Sequence, residues 1–274
     1  MTVTCPQPFV DLAHRLADAA GAIVRRHFRT TITVEDKPDM SPVTAVDRAA
    51  EAEVRRLIEA ECPEHGVIGE EYGRDRPDAE YVWIVDPIDG TEAFIAGLPV
   101  FGTLIALTHR GRAILGVLDQ PVSGERWLGA AGRATTLNDA AARTRPCPAL
   151  ADAVLCATTP HMFQGPDAAP FARVREAVRI IRYGTECYAY GLLASGAVDL
   201  VIEADMAAYD YLAHVPIIEG AGGVITDWEG RALDLAGGAS RLVAAGDPAV
   251  HTQALALLAE AGGGDRSGVK PKML

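Results

Sequence analysis

The chain has 274 residues, 49% of them hydrophobic and 6% aromatic, with a formal net charge of −12. That is enough apolar material for one large domain or two intimate ones, and the acidic balance argues against nucleic acid and anionic membrane surfaces as partners. It leaves open a small phosphorylated metabolite whose charge a metal ion neutralises.

Five scattered cysteines, Cys5, Cys62, Cys147, Cys156 and Cys187, form no Cys-x-x-Cys pair. They argue against a disulfide framework or a zinc site and for reduced thiols in a cytoplasm. The N-terminus shows no basic stretch followed by an apolar run, so no signal peptide is expected. No apolar run approaches the roughly 20 residues of a membrane span.

Phe9, Leu12, Leu16, Ala20, Ile23 and Val24 recur at helical spacing and predict an amphipathic opening helix. Thr31 to Glu35 alternates as a strand, and Lys37 to Pro42 reads as a loop broken by two prolines. Val43 to Cys62 is a second helix with Val46, Ala50, Val54, Leu57 and Ile58 inward. Asp47 falls in its first turns, where complementing the helix dipole and serving a site are equally open roles. Gly66 to Gly69 is a short strand running into Glu70 and Glu71, whose side chains diverge, so one of the two is expected at a site.

The stretch from Trp83 to Phe94 organises the chain. Tyr81 to Val85 reads as a buried strand. Pro87 forbids a continuing central strand, so the chain is predicted to turn at Asp86 and aim Asp86 and Asp89 off the strand end. Gly90 permits positive φ. Thr91 to Ala96 is a short helix whose first N–H groups suit an anion. Asp-x-x-Asp alone is common on solvated surfaces, and Asp-Gly is a routine turn.

Gly102 to Leu107 and Ala113 to Leu118 flank His109-Arg110-Gly111-Arg112 as a hairpin, and Arg126 to Ala130 extends the sheet. Composition shifts at Arg143 to Pro148, the expected boundary between an N-terminal lobe, 1–145, and a C-terminal lobe, 146–264, with a flexible tail at 265–274. Beyond it, Ala153 to Ala157 is a strand and Phe171 to Ile181 a helix. Arg182-Tyr183-Gly184 breaks the chain before a helix at Cys187 to Ser195 and a strand at Val198 to Glu203. Tyr209 to Gly220 is a helix closed by Ala221-Gly222-Gly223. Strands at Val224 to Thr226 and Leu242 to Ala245 and a helix at Ala249 to Ala261 complete a layered α/β pattern.

Glu70, Asp86 and Asp89 follow strands, and Asp210 opens a helix. With oxygen donors and no neighbouring His or Cys, they select Mg²⁺ or Mn²⁺ over zinc. Asp86 stands where it bridges two ions, and Thr91 where it holds a water that such ions activate against a phosphoester. His27, His65, His161 and His214 lack metal-ligand spacing and read as structural or surface groups. Ser123 and Ser195 lack a nucleophile elbow. The glycines at 220–223 follow a helix, which argues against a dinucleotide loop.

Four blocks in order carry a specific resemblance: Ser41 to Asp47, Gly69-Glu70-Glu71, Trp83 to Thr91 with Phe94 and Gly97, and Tyr209-Asp210 followed by Glu219 to Gly223. The sequence resembles the inositol monophosphatase family of Mg²⁺-dependent, lithium-sensitive phosphatases. The resemblance implies a five-layered αβαβα sandwich with the site between its halves, and a homodimer. It implies two or three Mg²⁺ ions on Glu70, Asp86, Asp89, Asp210 and the Ile88 carbonyl, and phosphate near the N–H groups of Gly90 and Thr91. It makes Thr91, oriented with Asp47 and Glu70, the holder of the attacking water. Arg182 to Tyr190 and Val198 to Glu203 look most like the histidinol-phosphate phosphatase branch, in which the arginine matching Arg182 contacts substrate. From the residues alone, Arg182 reads equally as a helix C-terminal arginine.

Two segments depart from that branch, Thr185-Glu186 where it has Gly-Asp and Asp205 to Ala208 where it has Gly-Leu-x-Pro, and the resemblance places both near the substrate's organic part. The expectation is a cytoplasmic Mg²⁺-dependent histidinol-phosphatase of histidine biosynthesis. Its rivals are an inositol-1-monophosphatase, a 3′(2′),5′-bisphosphate nucleotidase, and an inactive phosphate-binding regulatory protein or scaffold.

Overall fold

In the computed structural model, which describes residues 4–36 and 42–259, the opening helix α1 (Gln7–His27) buries the stripe Val10, Ala13, Leu16, Ala17, Ala20 and Val24. Its last turn carries Arg25, Arg26 and His27 against the negative end of the helix dipole. The second helix, α2 (Ala45–Glu61), starts later than the periodicity predicts. Pro42–Thr44 is a strand, β2, paired antiparallel with β1 (Val34–Asp36), and Thr44 caps the helix by accepting from the Val46 N–H at 3.1 Å. Of the loop predicted over Lys37 to Pro42, residues 37–41 lie outside the described residues and Pro42 begins β2, and 260–274 with the predicted tail also lie outside.

Under these two helices lies an eight-stranded sheet. Its strands are β3 (Gly66–Gly69), β4 (Gly73–Asp75), β5 (Tyr81–Asp89), β6 (Gly102–His109), β7 (Arg112–Gln120), β8 (Glu125–Ala130), β9 (Thr136–Leu137) and β10 (Ala140–Ala141), in the order β10-β9-β8-β7-β6-β5-β3-β4. All neighbours are antiparallel except β3 and β5. The hairpin predicted at 109–112 joins β6 to β7, with Arg110 and Gly111 both at positive φ as a two-residue turn requires. The short strands β4, β9 and β10 carry no sequence signal of their own and exist as partners of longer ones.

The second sheet has the order β12-β11-β13-β15-β14, from β11 (Val154–Ala157), β12 (Ile180–Tyr183), β13 (Leu200–Glu203), β14 (Val224–Asp227) and β15 (Leu242–Ala245). Helices α5 (Tyr188–Ala194), α6 (Ala208–Tyr211) and α7 (His214–Gly220) lie between the sheets, and α4 (Ala168–Ala177) and α8 (Pro248–Ala259) cover the outside of the second. Three apolar clusters separate these layers: one under α1 and α2, one around the middle helices, one under α4 and α8. This is the expected five-layered αβαβα sandwich. The middle layer is tight. A Cβ on Gly116 would fall 1.9 Å from the Ala213 carbonyl oxygen, and one on Gly129 2.2 Å from that of Pro216. No helix among the described residues is long and apolar enough to cross a membrane.

Three expectations are corrected. The strand through Trp83 does not stop at Asp86 but runs on to Asp89 through a bulge. The helix predicted over Phe171 to Ile181 ends at Ala177, and Ile180–Tyr183 pairs in parallel with β11. The β-branched pair Ile180-Ile181 gains a strand neighbour there that helical periodicity cannot anticipate. The single helix predicted over Tyr209 to Gly220 is two, α6 and α7.

His214 opens α7, fully buried and stacked on Tyr190 with ring centroids 3.9 Å apart. Neither ring nitrogen has a hydrogen-bond partner among the described residues. Burial keeps the imidazole neutral, its pKa pushed down to about 3. The unfolded chain takes up this proton near the ordinary 6.5, so stability is lost as pH falls from there towards 3 and is untouched by this group above it. At pH 5 the loss is about 2 kcal/mol, since each pKa unit is worth about 1.4 kcal/mol. His214→Leu is therefore expected to shrink the fall in Tm between pH 7 and pH 5 by roughly 4–6 °C. Thermal unfolding curves with the same pH dependence in both proteins would clear His214 of that role.

Candidate metal centre and active site

The centre is built where the two parallel strands of the first sheet end together. Gly69 of β3 pairs with Val85 of β5, so the next residues, Glu70 and Asp86, emerge side by side, and the Glu70 N–H donates to the Val85 carbonyl at 3.2 Å. Pro87 continues β5 because the register slips there. Asp86 pairs with Leu104 and Asp89 with Gly102, leaving one extra residue on β5. The Thr103 hydroxyl donates to the Pro87 carbonyl at 2.8 Å and holds this bulge, which needs no N–H from the proline. The bulge brings Asp86 and Asp89 to the same side.

Asp210, in the first turn of α6, completes the group. One carboxylate oxygen from each of Asp86, Asp89 and Asp210 lies within 4.8 Å of the others. Each aspartate is fixed by a backbone N–H: Ile88 to Asp86 Oδ1 at 3.0 Å, Cys187 to Asp89 Oδ2 at 2.9 Å and Ala207 to Asp210 Oδ2 at 2.7 Å. No arginine among the described residues pairs with any of the three. Burial first, then the mutual repulsion of Glu70, Asp89 and Asp210, pushes the Asp86 carboxyl well above the usual range. Burial and then Asp89 do the same to Asp210, and burial pushes Asp89 up to about 6. Clustered oxygen donors that resist ionisation together fit a hard divalent cation.

Thr91 opens the helix α3 (Thr91–Ala96). Its Oγ1 stands 3.0 Å from the Ile88 carbonyl and 3.3 Å from Asp47 Oδ1. Asp47 is fully buried, and its other oxygen accepts from the Thr44 N–H at 2.9 Å and hydroxyl at 2.5 Å. One carboxylate thus both caps α2 and meets Thr91, so the two roles left open by sequence are held together. Gly90 has φ of +81°, and a Cβ there would sit 2.9 Å from Glu186 Cγ.

A cavity of about 190 Å³ is lined by Glu70, Asp86, Ile88, Asp89, Thr91 and Asp210, with Glu186, Glu203 and Met206. It adjoins one of about 460 Å³ lined by Glu70, Gly90, Thr91, Glu92, Thr158, Thr159, His161 and Glu186. Arg182 lines neither. It is exposed on the edge strand β12, its side chain making no hydrogen bond or ion pair among the described residues, rather than in a break between helices.

Glu203 was not anticipated at the site, and Glu186 was expected there only as part of a segment near the substrate's organic part. Glu203 is buried at the end of β13 and accepts from the Thr158 N–H at 3.1 Å, the Thr158 hydroxyl at 2.5 Å and the Tyr190 hydroxyl at 3.2 Å. Burial pushes its pKa up to about 7. It was findable, since it ends a strand as Glu70 does. Glu186, at φ of 45°, has its pKa pushed up to about 8 by burial and then by Asp89, Glu203 and Glu92. Glu186 and Met206 both fall in the segments where the sequence departs from the histidinol-phosphatase pattern. His161, read as structural or surface, lines the outer cavity.

The inositol monophosphatase family model matches residues 6–262. The chain is 49% identical over 255 residues to bifunctional phosphatase IMPL2, a chloroplastic protein of Arabidopsis thaliana, covering 90% of this chain and 74% of that one. It is 34% identical over 226 residues to histidinol-phosphatase of Chlorobaculum parvum, covering 82% and 87%. An inositol monophosphatase from Zymomonas mobilis has the same fold, with a TM-score of 0.85 at 44% identity over 92% of this chain and 98% of that one. Sequence and fold agree along nearly the whole chain, which is a phosphatase of the inositol monophosphatase family.

Proposed function

We propose that the protein is a Mg²⁺-dependent phosphomonoesterase that converts L-histidinol phosphate to L-histidinol and phosphate. Glu70, Asp86, Asp89, Asp210 and the Ile88 carbonyl would hold the ions. Bound there, Mg²⁺ supplies charge neutralisation of the phosphate and acidification of a coordinated water. The Thr91 hydroxyl has one proton and two acceptors in reach, Asp47 Oδ1 and the Ile88 carbonyl. With that proton committed to either, its oxygen accepts from a water and orients it, while Glu70 beside it takes the water's proton. The Gly90 and Thr91 N–H groups bind the phosphate.

The observation that carries the substrate is the second acidic wall. Glu186 and Glu203 face the cavity beside the aspartate cluster and pair with no arginine among the described residues. An ammonium on the leaving group complements them, and histidinol phosphate carries one where inositol 1-phosphate has only hydroxyls. Likeness to a histidinol-phosphatase along most of the chain supports the same reading. Arg182 belongs to the proposal as a contact made from the exposed edge of β12, and a cytoplasmic homodimer accompanies it by family resemblance.

The deciding measurement is phosphate release from histidinol phosphate, inositol 1-phosphate, adenosine 3′,5′-bisphosphate and fructose 1,6-bisphosphate, with and without Mg²⁺. Histidinol phosphate should be hydrolysed with the highest kcat/KM, and a polyol or nucleotide turned over better would replace it. Asp86→Asn is expected to lower kcat by at least about 10³, because metal-ion stabilisation of the transition state is worth several kcal/mol. Wild-type turnover in that variant would end the metal assignment.

Thr91→Ala should lower kcat far more than it raises KM, whereas Thr91→Ser retains the hydroxyl and much of the activity. Equal behaviour of the two variants would show that the hydroxyl is not used. Glu186→Gln should cost about 1.5–3 kcal/mol in kcat/KM for histidinol phosphate, as for a lost bond to a charged group, and leave inositol 1-phosphate turnover unaffected. Equal losses on both substrates would contradict ammonium recognition.

A further inference from the structure

Helix α2 sends two carboxylates inward one turn apart. Asp47 reaches Thr91. Glu51, on the same face, has a fully buried side chain and lines neither cavity. It reaches instead to the loop that carries Glu70. Its Oε2 accepts from the Glu71 N–H at 2.7 Å and its Oε1 from the Tyr72 N–H at 3.2 Å. Arg55, one turn further along, donates to the same Oε1 at 2.7 Å and to the Gly73 carbonyl at 2.5 Å. On the other side of Glu70, the Gly69 backbone is pressed against this carboxylate, because a Cβ there would lie 2.0 Å from Glu51 Oε1. Glu51 thus grips the chain immediately before and immediately after Glu70.

A buried carboxylate persists only where its charge is met by donors. Arg55 meets part of it, and the rest is met by the Glu71 and Tyr72 amides of the loop. The loop is thereby tied to the rigid helix rather than to its own ends.

We propose that Glu51 is a positioning residue. It fixes the backbone on both sides of Glu70 so that this carboxylate stays beside Asp86, and through Glu51 and Asp47 helix α2 sets Glu70 and Thr91 relative to each other. The inference rests on the reading of Glu70 as a metal ligand. Groups behind a metal ligand commonly change metal affinity or activity by about 10–100-fold when altered, because they set the ligand's orientation.

The test is Mn²⁺ binding to the substrate-free protein by calorimetry, with thermal unfolding and phosphate release alongside, for wild type, Glu51→Gln and Gly69→Ala. Glu51→Gln keeps the shape and removes the charge. Gly69→Ala keeps the charge and displaces the carboxylate. Both should weaken Mn²⁺ binding and lower kcat by about 10–100-fold, with KM for histidinol phosphate within about threefold of wild type. A lower Tm with an unchanged Mn²⁺ Kd would make Glu51 a fold residue only and overturn the proposal. Hydrogen exchange on the metal-free wild type needs no variant: the Glu71 and Tyr72 amides should be protected, and open-loop exchange there overturns the proposal even where both variants fail to fold. Wild type that binds no Mn²⁺ would overturn the metal reading and this inference with it. Normal binding in wild type and both variants overturns this inference alone.

Discussion

Mutual repulsion among carboxylates is the constraint on which the rest of the structure depends. Oxygens of Asp86, Asp89 and Asp210 lie within 4.8 Å of one another, and Glu70 adds to the field on each. At an effective dielectric near 20, each ionised pair at that separation repels by about 3–4 kcal/mol. Nothing local in the chain favours such a gathering. Burial and then this repulsion push the carboxyls up, and a divalent cation is the natural counterpart to both. Until one binds, the scaffold must hold the groups in place.

The scaffold does so by tying each carboxylate to main chain that is itself pinned. Parallel pairing of β3 with β5 delivers Glu70 and Asp86 together, and the bulge at Pro87 adds Asp89. The middle layer supplies the remainder: Cys187, just before α5, anchors Asp89, and α6 presents Asp210. Backbone approach of α7 to the first sheet at Gly116 and Gly129 keeps that layer close. The site is therefore a seam. The first sheet gives Glu70, Asp86 and Asp89, the second gives Glu203 and Thr158, and the helices between them close it.

That seam also separates two tasks. The aspartate cluster, with Thr91 and Asp47, is suited to hydrolysis of a phosphate ester in general. Glu186 and Glu203 line the same cavity, and in the proposed function they meet the ester's organic part and discriminate among substrates. The outer wall of Thr158, Thr159 and His161 comes from the segment after β11.

Much of this was legible in the chain. Apolar periodicity defined α1, α2 and α8, and the run of β-branched residues before Asp86 defined β5, because each is set by local spacing. Carboxylates at the ends of strands and the start of a helix, with no histidine or cysteine beside them, identified Glu70, Asp86, Asp89 and Asp210 as candidates. Pairing was not legible: Ile180–Tyr183 becomes a strand because β11 lies beside it, and Pro87 stays in β5 because Thr103 holds the bulge. Glu51, Glu186 and Glu203 acquire their places from contacts across at least 13 residues of sequence, as between Tyr190 and Glu203. Sequence by itself determined which residues could bind and react, since that is a property of side-chain chemistry and local period. Only the tertiary structure decided which of them share one cavity, because burial and proximity are set by strands and helices that meet far from each other in the chain.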